Sequence, residues 1–515
     1  MRVDELKRKY LTGDFKLKGE FTNDEDRESV LSKCEKYAGW TIPSLFPEEE
    51  LQDSDELQTD YQSVGAQAVT NLSNKLMMAL FQPSRPFFRM QLTQEQQLEV
   101  QASGLSEAQM DAALSEAERT AMKEFDKSNQ RVVLHDVMQQ LIVTGNCLYY
   151  TPKNEDAVVY TLKDYKIKRD LRGNLVKCIL RETKSVSGLS DELQELAYKH
   201  NYREDQEVTI YTAVCRTGAD QFFVWQELED VAYCHKRVGS YKKQDLPWNP
   251  LVWKLARGND YGTGLVEEYS GDFAKLSTLG EAIMDYSIVM TDIKNLVRPD
   301  GMTDVKELTE SASGAYVQGR EEDLYVHQPQ VANVADFLSG QFDATARRIG
   351  AAFLLNTAVT RDAERVTAEE IRMQAQELEG SLGGVYSRLA NNLQAPIARR
   401  EIGKLNPIFK DIEPVIVTGL ESLSRHSELG NFRAFMSDLI MLSDVPDDAK
   451  VWMRMEDIIA MLGAGHGVNY KKFLNSKEEV EQERARRMQQ QAQFAGQEAG
   501  MVEQAKVEAN GQTSG

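Results

Sequence analysis

The side chains in this sequence that could carry chemistry are histidines, cysteines, paired carboxylates and a few glycine turns, and spacing tests each in turn. His135, His200, His235, His327, His426 and His466 stand apart, and none forms the HExxH pair that puts two imidazoles on one helix face for zinc. Cys34, Cys147, Cys178, Cys215 and Cys234 show no CxxC spacing, and this odd set reads as reduced thiols of a cytosolic protein. Carboxylate pairs such as Glu267-Glu268 and Glu369-Glu370 are adjacent, so on a helix they diverge by ~100° and do not converge on one cation. They read as solvated helix faces.

Phosphate chemistry fares no better. Gly403-Lys404 is followed by Leu405, where a phosphate-binding loop needs Ser or Thr. Gly262-Thr263-Gly264 meets Glu267 where a dinucleotide-binding turn needs its third glycine, so it reads as a turn before a helix. No GxSxG elbow occurs. These spacings predict no enzyme activity, no cofactor and no resident metal. An active site gathered from distant residues is the alternative they leave open.

The charge balance narrows the partners. Sixty Lys and Arg against 81 Asp and Glu leave −21, the wrong sign for tight, non-specific grip on phosphates. Two readings fit: an acidic surface kept for solubility, or a surface that lets nucleic acid slide past without adhering. Met1 to Lys18 is charged and lacks a signal peptide's apolar centre, and no apolar run reaches the ~18 residues of a membrane span. The expectation is synthesis in a cytoplasm and no membrane contact.

The elements that must position these residues follow from periodicity. At 515 residues the chain exceeds one core, and two or more packed units are expected. Tyr61, Val64, Ala68, Leu72, Leu76 and Leu80 share a helical face, ended by Pro83, while two prolines argue against a helix over Trp40 to Pro47. Further helices are predicted over Ser106–Lys127 and Val132–Val143. Between Cys147 and Trp253 the period changes to runs such as Val208–Val214 and Phe222–Trp225, a β-rich insert.

The clearest stripe is Leu276, Leu279, Ile283, Tyr286, Met290, Ile293 and Val297, predicting one helix that Pro299 ends. Strand-like segments at Ala315–Val317 and Leu324–Val326 separate it from a second helix carrying Val334, Leu338, Phe342, Ile349 and Phe353. After a loop, Asn356–Val366, a third helix opens on a capping box, Thr367 with Glu370. The pair Gly383-Gly384 permits a bend within it, and Pro396 limits its unbroken length. A second capping box, Ser476 with Glu479, precedes a Gln-, Ala- and Glu-rich end expected to fray. The fold class is α+β, mainly α.

Several segments together resemble the head-to-tail connector, or portal, proteins of short-tailed bacteriophages of the podovirus, autographivirus type. They are Tyr37–Pro47, Asp60–Met77, Glu267-Glu268-Tyr269 with Gly271-Asp272, Glu364–Arg372 running on to Leu382–Ser387, and Thr418–Glu421. The landmarks occur in family order from about residue 37 to 421.

The resemblance implies a dodecameric ring. In it, residues 1–270 would form a wing with its β-rich insert at about 147–256, 271–297 a first stem helix and 298–333 a clip. Residues 334–355 would form a second stem helix, 356–367 a tunnel loop and 368–405 a long bent tunnel helix. Residues 406–475 would form wing and crown, and 476–515 a crown helix and flexible tail. The implied function is passage of double-stranded DNA through one capsid vertex during packaging and ejection. Implied partners are the terminase large subunit, the tail adaptor, the major capsid and scaffolding proteins, and internal core proteins. The implied location is the virion.

Within that frame, Arg361 and Arg365 in the loop are candidates to touch DNA weakly, with Arg347 and Arg348 on the second stem helix as further candidates. The alternative is that they form salt bridges to Asp343, Asp362, Glu364 or Glu369. Other functions weighed are a scaffold or minor capsid protein, against which the β-rich insert speaks, and a phage DNA-processing enzyme, which would need a metal-dependent cleavage site.

Overall fold

A computed structural model of the chain describes residues 17–22, 25–47, 57–82, 86–92, 107–152, 155–229, 232–233, 238–291, 294–327, 332–355, 378, 380–405, 412–417 and 433–441, with single positions at 96, 458, 461, 462 and 465. The chain divides into two compact units, Met1–Gly419 and Leu420–Gly515. Within the second, a helix covers 433–441 and buries Phe435.

The first unit begins with helices α1 (Leu17–Thr22), α2 (Glu25–Trp40) and α3 (Val64–Leu80), then strand β1 (Phe88–Met90), α4 (Glu107–Lys127) and α5 (Gln130–Thr144). Strands β2 (Asn146–Tyr150), β3 (Val158–Tyr160), β4 (Tyr165–Arg169) and β5 (Leu175–Ser185) follow, then α6 (Asp191–Lys199). Next come β6 (Glu207–Arg216), β7 (Gln221–Leu228), β8 (Ala232–Tyr233), β9 (Gly239–Lys242), β10 (Trp248–Val252) and α7 (Leu265–Glu268). The remainder is α8 (Ser270–Thr291), β11 (Lys294–Val297), α9 (Val305–Glu310), β12 (Leu324–His327), α10 (Ala332–Ala352), α11 (Gly384–Leu389), α12 (Ala395–Leu405) and β13 (Pro414–Ile416).

Helices α3 and α5 form the centre of the core. Ala68, Leu72 and Leu76 recur every four residues on α3, and Leu134, Val137, Met138 and Leu141 on α5, all fully buried. Phe81 and Phe87 pack on Phe125 of α4 at ring separations of 5.9 and 5.6 Å. Tyr61 does not extend the α3 stripe, as the spacing had predicted: it precedes the helix and is 55% exposed. The prolines of Trp40–Pro47 also admit more helix than expected. Pro43 opens a single 3₁₀ turn, a first position where the missing N–H costs nothing.

The insert between α5 and α7 is two antiparallel sheets. One runs β4-β5-β6-β7-β8 with β9 also on β7, and the other runs β10-β2-β3. In the larger sheet Ile179, Ala213 and Trp225 are cross-strand neighbours and pack with Leu17 and Phe21 of α1. Their register neighbours Cys178, Val214 and Val224 face the main core. Burial on both faces explains why β6 and β7 read as near-continuous apolar runs rather than alternation. Helix α6, not foreseen in the insert, caps one end by packing Leu193 and Ala197 with Val208 and Leu228.

Beyond Gly384 the chain runs through α11, a π-helical turn at Ala390–Gln394 and α12. Pro396 was expected to limit the helix, yet it lies within α12. The wide turn just before it supplies the irregular backbone that a proline's missing donor and ring require.

Candidate functional site

Helices α8 and α10 leave the body as an antiparallel pair. Arg348 Nη2 meets Asp272 Oδ1 at 2.7 Å near the body, and Lys275 Nζ donates to Gln341 Oε1 at 3.1 Å further out. At the base the pair is sealed. Phe273, Leu276, Ile349 and Phe353 are fully buried, with Phe353 edge-on to Phe273 at 5.7 Å. Outward, the apolar groups lose cover: Met284 is 53% exposed, Ile288 58% and Phe337 64%. The stripe on α8 therefore serves the core only for its first turns.

The first helix ends earlier than its periodicity predicted, at Thr291 instead of Val297. Lys294–Val297 is strand β11, paired antiparallel with β12 so that Val297 faces Leu324. The reason is local: Arg298 precedes Pro299, a position biased away from helix, and Leu296-Val297 suits a ladder. Ala315–Val317, expected to be strand-like, lies outside the ladder. Helix α9, which the pattern did not suggest, starts on Asp304, whose carboxylate accepts from Lys306 N at 2.8 Å.

Asp323 organises this tip. It is the one residue of the described 296–325 that is buried, and its Oδ2 accepts from Met302 N at 2.9 Å and Thr303 Oγ1 at 3.0 Å. Thr303 Oγ1 in turn accepts from Arg320 N at 3.0 Å, so one carboxylate closes both sides of the loop. Around this clamp Met302, Val305 and Tyr316 are exposed, Tyr316 entirely. Along the same stretch Asp300, Asp304, Glu307, Glu310, Glu321, Glu322 and Asp323 outnumber Lys294, Arg298, Lys306 and Arg320, so the tip is apolar with an acidic balance.

At its other end the arm is held from α3. Lys75, itself buried, donates to Leu354 O at 2.7 Å, and Asn71 Nδ2 donates to the same oxygen at 3.1 Å. A cation and an amide at the end of α10 satisfy terminal carbonyls and complement the helix dipole. Leu354 has φ +57, so the backbone turns sharply at this clamp. Lys75 falls within the landmark Asp60–Met77, where the sequence alone assigned it no task. A lysine at an interior position of an apolar helix face was the available signal.

The predicted site residues fall unevenly. Arg361 and Arg365, with Thr367 and Glu370, lie outside the described residues. Arg347 is exposed on α10. Arg348 pairs with Asp272, an acid none of the sequence alternatives named. Gly383, at φ +46 and ψ −113, interrupts the helix, and Gly384 begins α11. Gly262 and Gly264 are a packing surface, where an added Cβ would meet the Gly145 carbonyl oxygen at 2.9 Å and the Ile142 carbonyl oxygen at 2.7 Å. Glu267 and Glu268 sit on α7 facing Lys33 and Lys254 respectively.

Four cysteines are buried, and burial pushes the Cys34 thiol up to about 12, with Glu267 adding to the shift. Such thiols are inert packing groups. Cys234 lies outside the described residues. Among the described residues no cluster of three or more His, Cys, Asp or Glu could hold a metal, and no helix is long and apolar enough to cross a membrane.

A packed body that projects an apolar-tipped helical arm is the construction of a subunit made to assemble with other chains. Residues 22–468 match the family model described as bacteriophage head to tail connecting protein, and the chain belongs to that family. It is 34% identical over 473 residues to the portal protein of Enterobacteria phage SP6, covering 90% of each chain. It is 31% identical over 500 residues to that of Escherichia phage T7, covering 93% of this chain and 92% of the relative. Among solved structures, the neck of an empty gene transfer agent particle aligns with 76% of this chain and 84% of its own, at 12% identity and TM-score 0.36.

Proposed function

We propose that this chain is the portal subunit of a phage head: twelve copies close into a ring at one capsid vertex, through which double-stranded DNA enters and later leaves. The observation that supports it most directly is the arm. One copy leaves Met284, Ile288, Val289 and Phe337 exposed on two antiparallel rods, and a neighbour packed alongside removes that surface from water. In this reading α8 and α10 are the stem, the tip from residue 294 to 327 is the clip, and the chain from 356 to 367 is the tunnel loop. The two regions 271–297 and 298–333 assigned from the sequence shift accordingly, with the clip beginning at β11.

The acidic, apolar tip is the surface offered first to the terminase large subunit and then to the tail adaptor, while the capsid, scaffolding and core proteins meet the body. Motor ATP hydrolysis belongs to another protein. A net charge of −21 per copy keeps DNA from adhering, and a few loop cations give weak, sequence-independent contact.

Negative-stain electron microscopy of the purified protein tests the ring. Annular particles with a central hole are expected; rods or monomers at assembly concentrations overturn it. Replacing Arg361 and Arg365 together by Ala is expected to alter DNA packaging or retention while rings still form. Normal packaging and retention in that double variant discards their role.

A further inference from the structure

Against the acidic background of the chain, a large concave surface among the described residues is basic. A cleft of about 700 Å³ lies between the β4–β5 turn, the β9–β10 connection and the π-turn before α12. Its charged lining is Arg169, Arg172, Arg216, Lys243 and Arg399, with Asp220 the one acid.

Two of these cations are spent. Arg169 donates to the carbonyls of Asp260, Gly173 and Pro250 at 3.0–3.2 Å, and Arg216 pairs with Asp170 at 3.0 Å. The others are not. Arg172 and Lys243 are exposed with no acidic partner among the described residues, and Arg399 reaches only the largely exposed Glu413, at 3.9 Å. Three cations converging on one concavity repel one another, so the cleft gains from an anionic occupant.

We propose that this cleft docks the acidic segment 48–56 of a second copy of the chain. That segment, Glu48-Glu49-Glu50-Leu51-Gln52-Asp53-Ser54-Asp55-Glu56, holds six carboxylates and no Lys, Arg or His. It also carries Leu51, which suits a cleft whose floor includes Trp248, Leu246 and Pro396. A phosphate backbone would neutralise the rim but leave that apolar floor uncovered. The residues on either side of that segment bond away from the cleft of their own copy: Lys163 Nζ donates to Pro47 O, and Ser277 Oγ to Asp60 Oδ1 at 2.6 Å, neither donor being a cleft residue. A closed ring of identical copies holds as many such segments as clefts, so each cleft can be filled once. The inference rests on the ring reading for that neighbour.

The test uses full-length chains. Reversing the rim with Arg172→Glu, Lys243→Glu and Arg399→Glu is expected to raise the protein concentration needed for rings at least tenfold. Adding Glu48→Lys, Glu49→Lys and Glu50→Lys to that variant is expected to restore assembly, which a misfolded body would not allow. In parallel, wild-type rings built from mixed ¹⁴N and ¹⁵N chains are treated with carbodiimide. A Lys243 amide to a carboxylate of 48–56 in mixed-isotope pairs supports the proposal. Same-isotope pairs alone, no such cross-link, or unchanged assembly of the reversed variant overturns it while rings remain visible. Capture of duplex DNA by the cleft with assembly unaffected overturns it too. Wild-type chains that form no rings refute the ring itself, and this contact with it.

Discussion

Arg348 was named from sequence as a weaker channel candidate with a salt bridge as the alternative, and it forms an ion pair, with Asp272. Its pair with Asp272 ties α10 to α8, with the arginine side chain 58% exposed. Screened pairs of this kind are worth about 0.2–1 kcal/mol, so a double-mutant cycle on Arg348→Ala and Asp272→Ala is expected to return a coupling in that range by denaturant unfolding. A coupling near zero would return Arg348 to the pool of unengaged cations.

Glu227 carries a sharper dependence on pH. Burial raises its carboxyl above the ordinary value, partly offset by hydrogen bonds from Leu17 N at 2.8 Å and Trp225 Nε1 at 3.3 Å. A raised folded-state pKa means the folded chain holds this proton more tightly, so its contribution is full below about pH 4.5 and is lost as pH rises through the folded value. Glu227→Gln is therefore expected to flatten stability against pH just above 4.5, read from urea midpoints. An unchanged slope would show that the carboxylate keeps its charge at no cost.

At the scale of elements, two glycines decide how helices end. Gly145 stops α5 at φ +74 and turns the chain directly into β2, and an added Cβ would lie 2.3 Å from both Gly264 N and Thr263 C. Backbone cannot yield as a side chain can, so Gly145→Ala is expected to cost about 3 kcal/mol or more, measured as a lowered denaturation midpoint. A loss below about 1 kcal/mol would mean that the α5–β2 corner is looser than its packing. Gly383 has the reverse environment, with nothing within 4 Å of an added Cβ, so its role lies in backbone conformation alone.

At the scale of the whole molecule, the first unit separates a sealed body from an exposed arm. Because Asp323 alone is buried between 296 and 325, the tip owes little to the body and the body little to the tip. Replacing residues 299–322 by a short turn is expected to shift the melting temperature by less than about 2–4 °C, the equivalent of ~1 kcal/mol. A larger fall, or loss of a cooperative transition, would place the tip within the folding unit. The membership in the connector family spans this entire plan, from residue 22 to 468.

Much of that plan was legible along the chain. The stripes of α3 and α10, the helix of α5 and the change of period at Cys147 follow from side-chain spacing, because burial on one face imposes a period, while the ordered landmarks from Tyr37 to Glu421 were legible as a family resemblance. Helix and strand competition at Lys294–Val297 was not legible, since Leu296-Val297 at the end of a helical stripe suits either state until a partner strand supplies hydrogen bonds. Nor were Lys75 on Leu354 and Asp272 on Arg348, which join residues 279 and 76 positions apart. Periodicity reports which face is buried; only the tertiary structure chooses what lies against it, because those contacts are set by packing between distant segments.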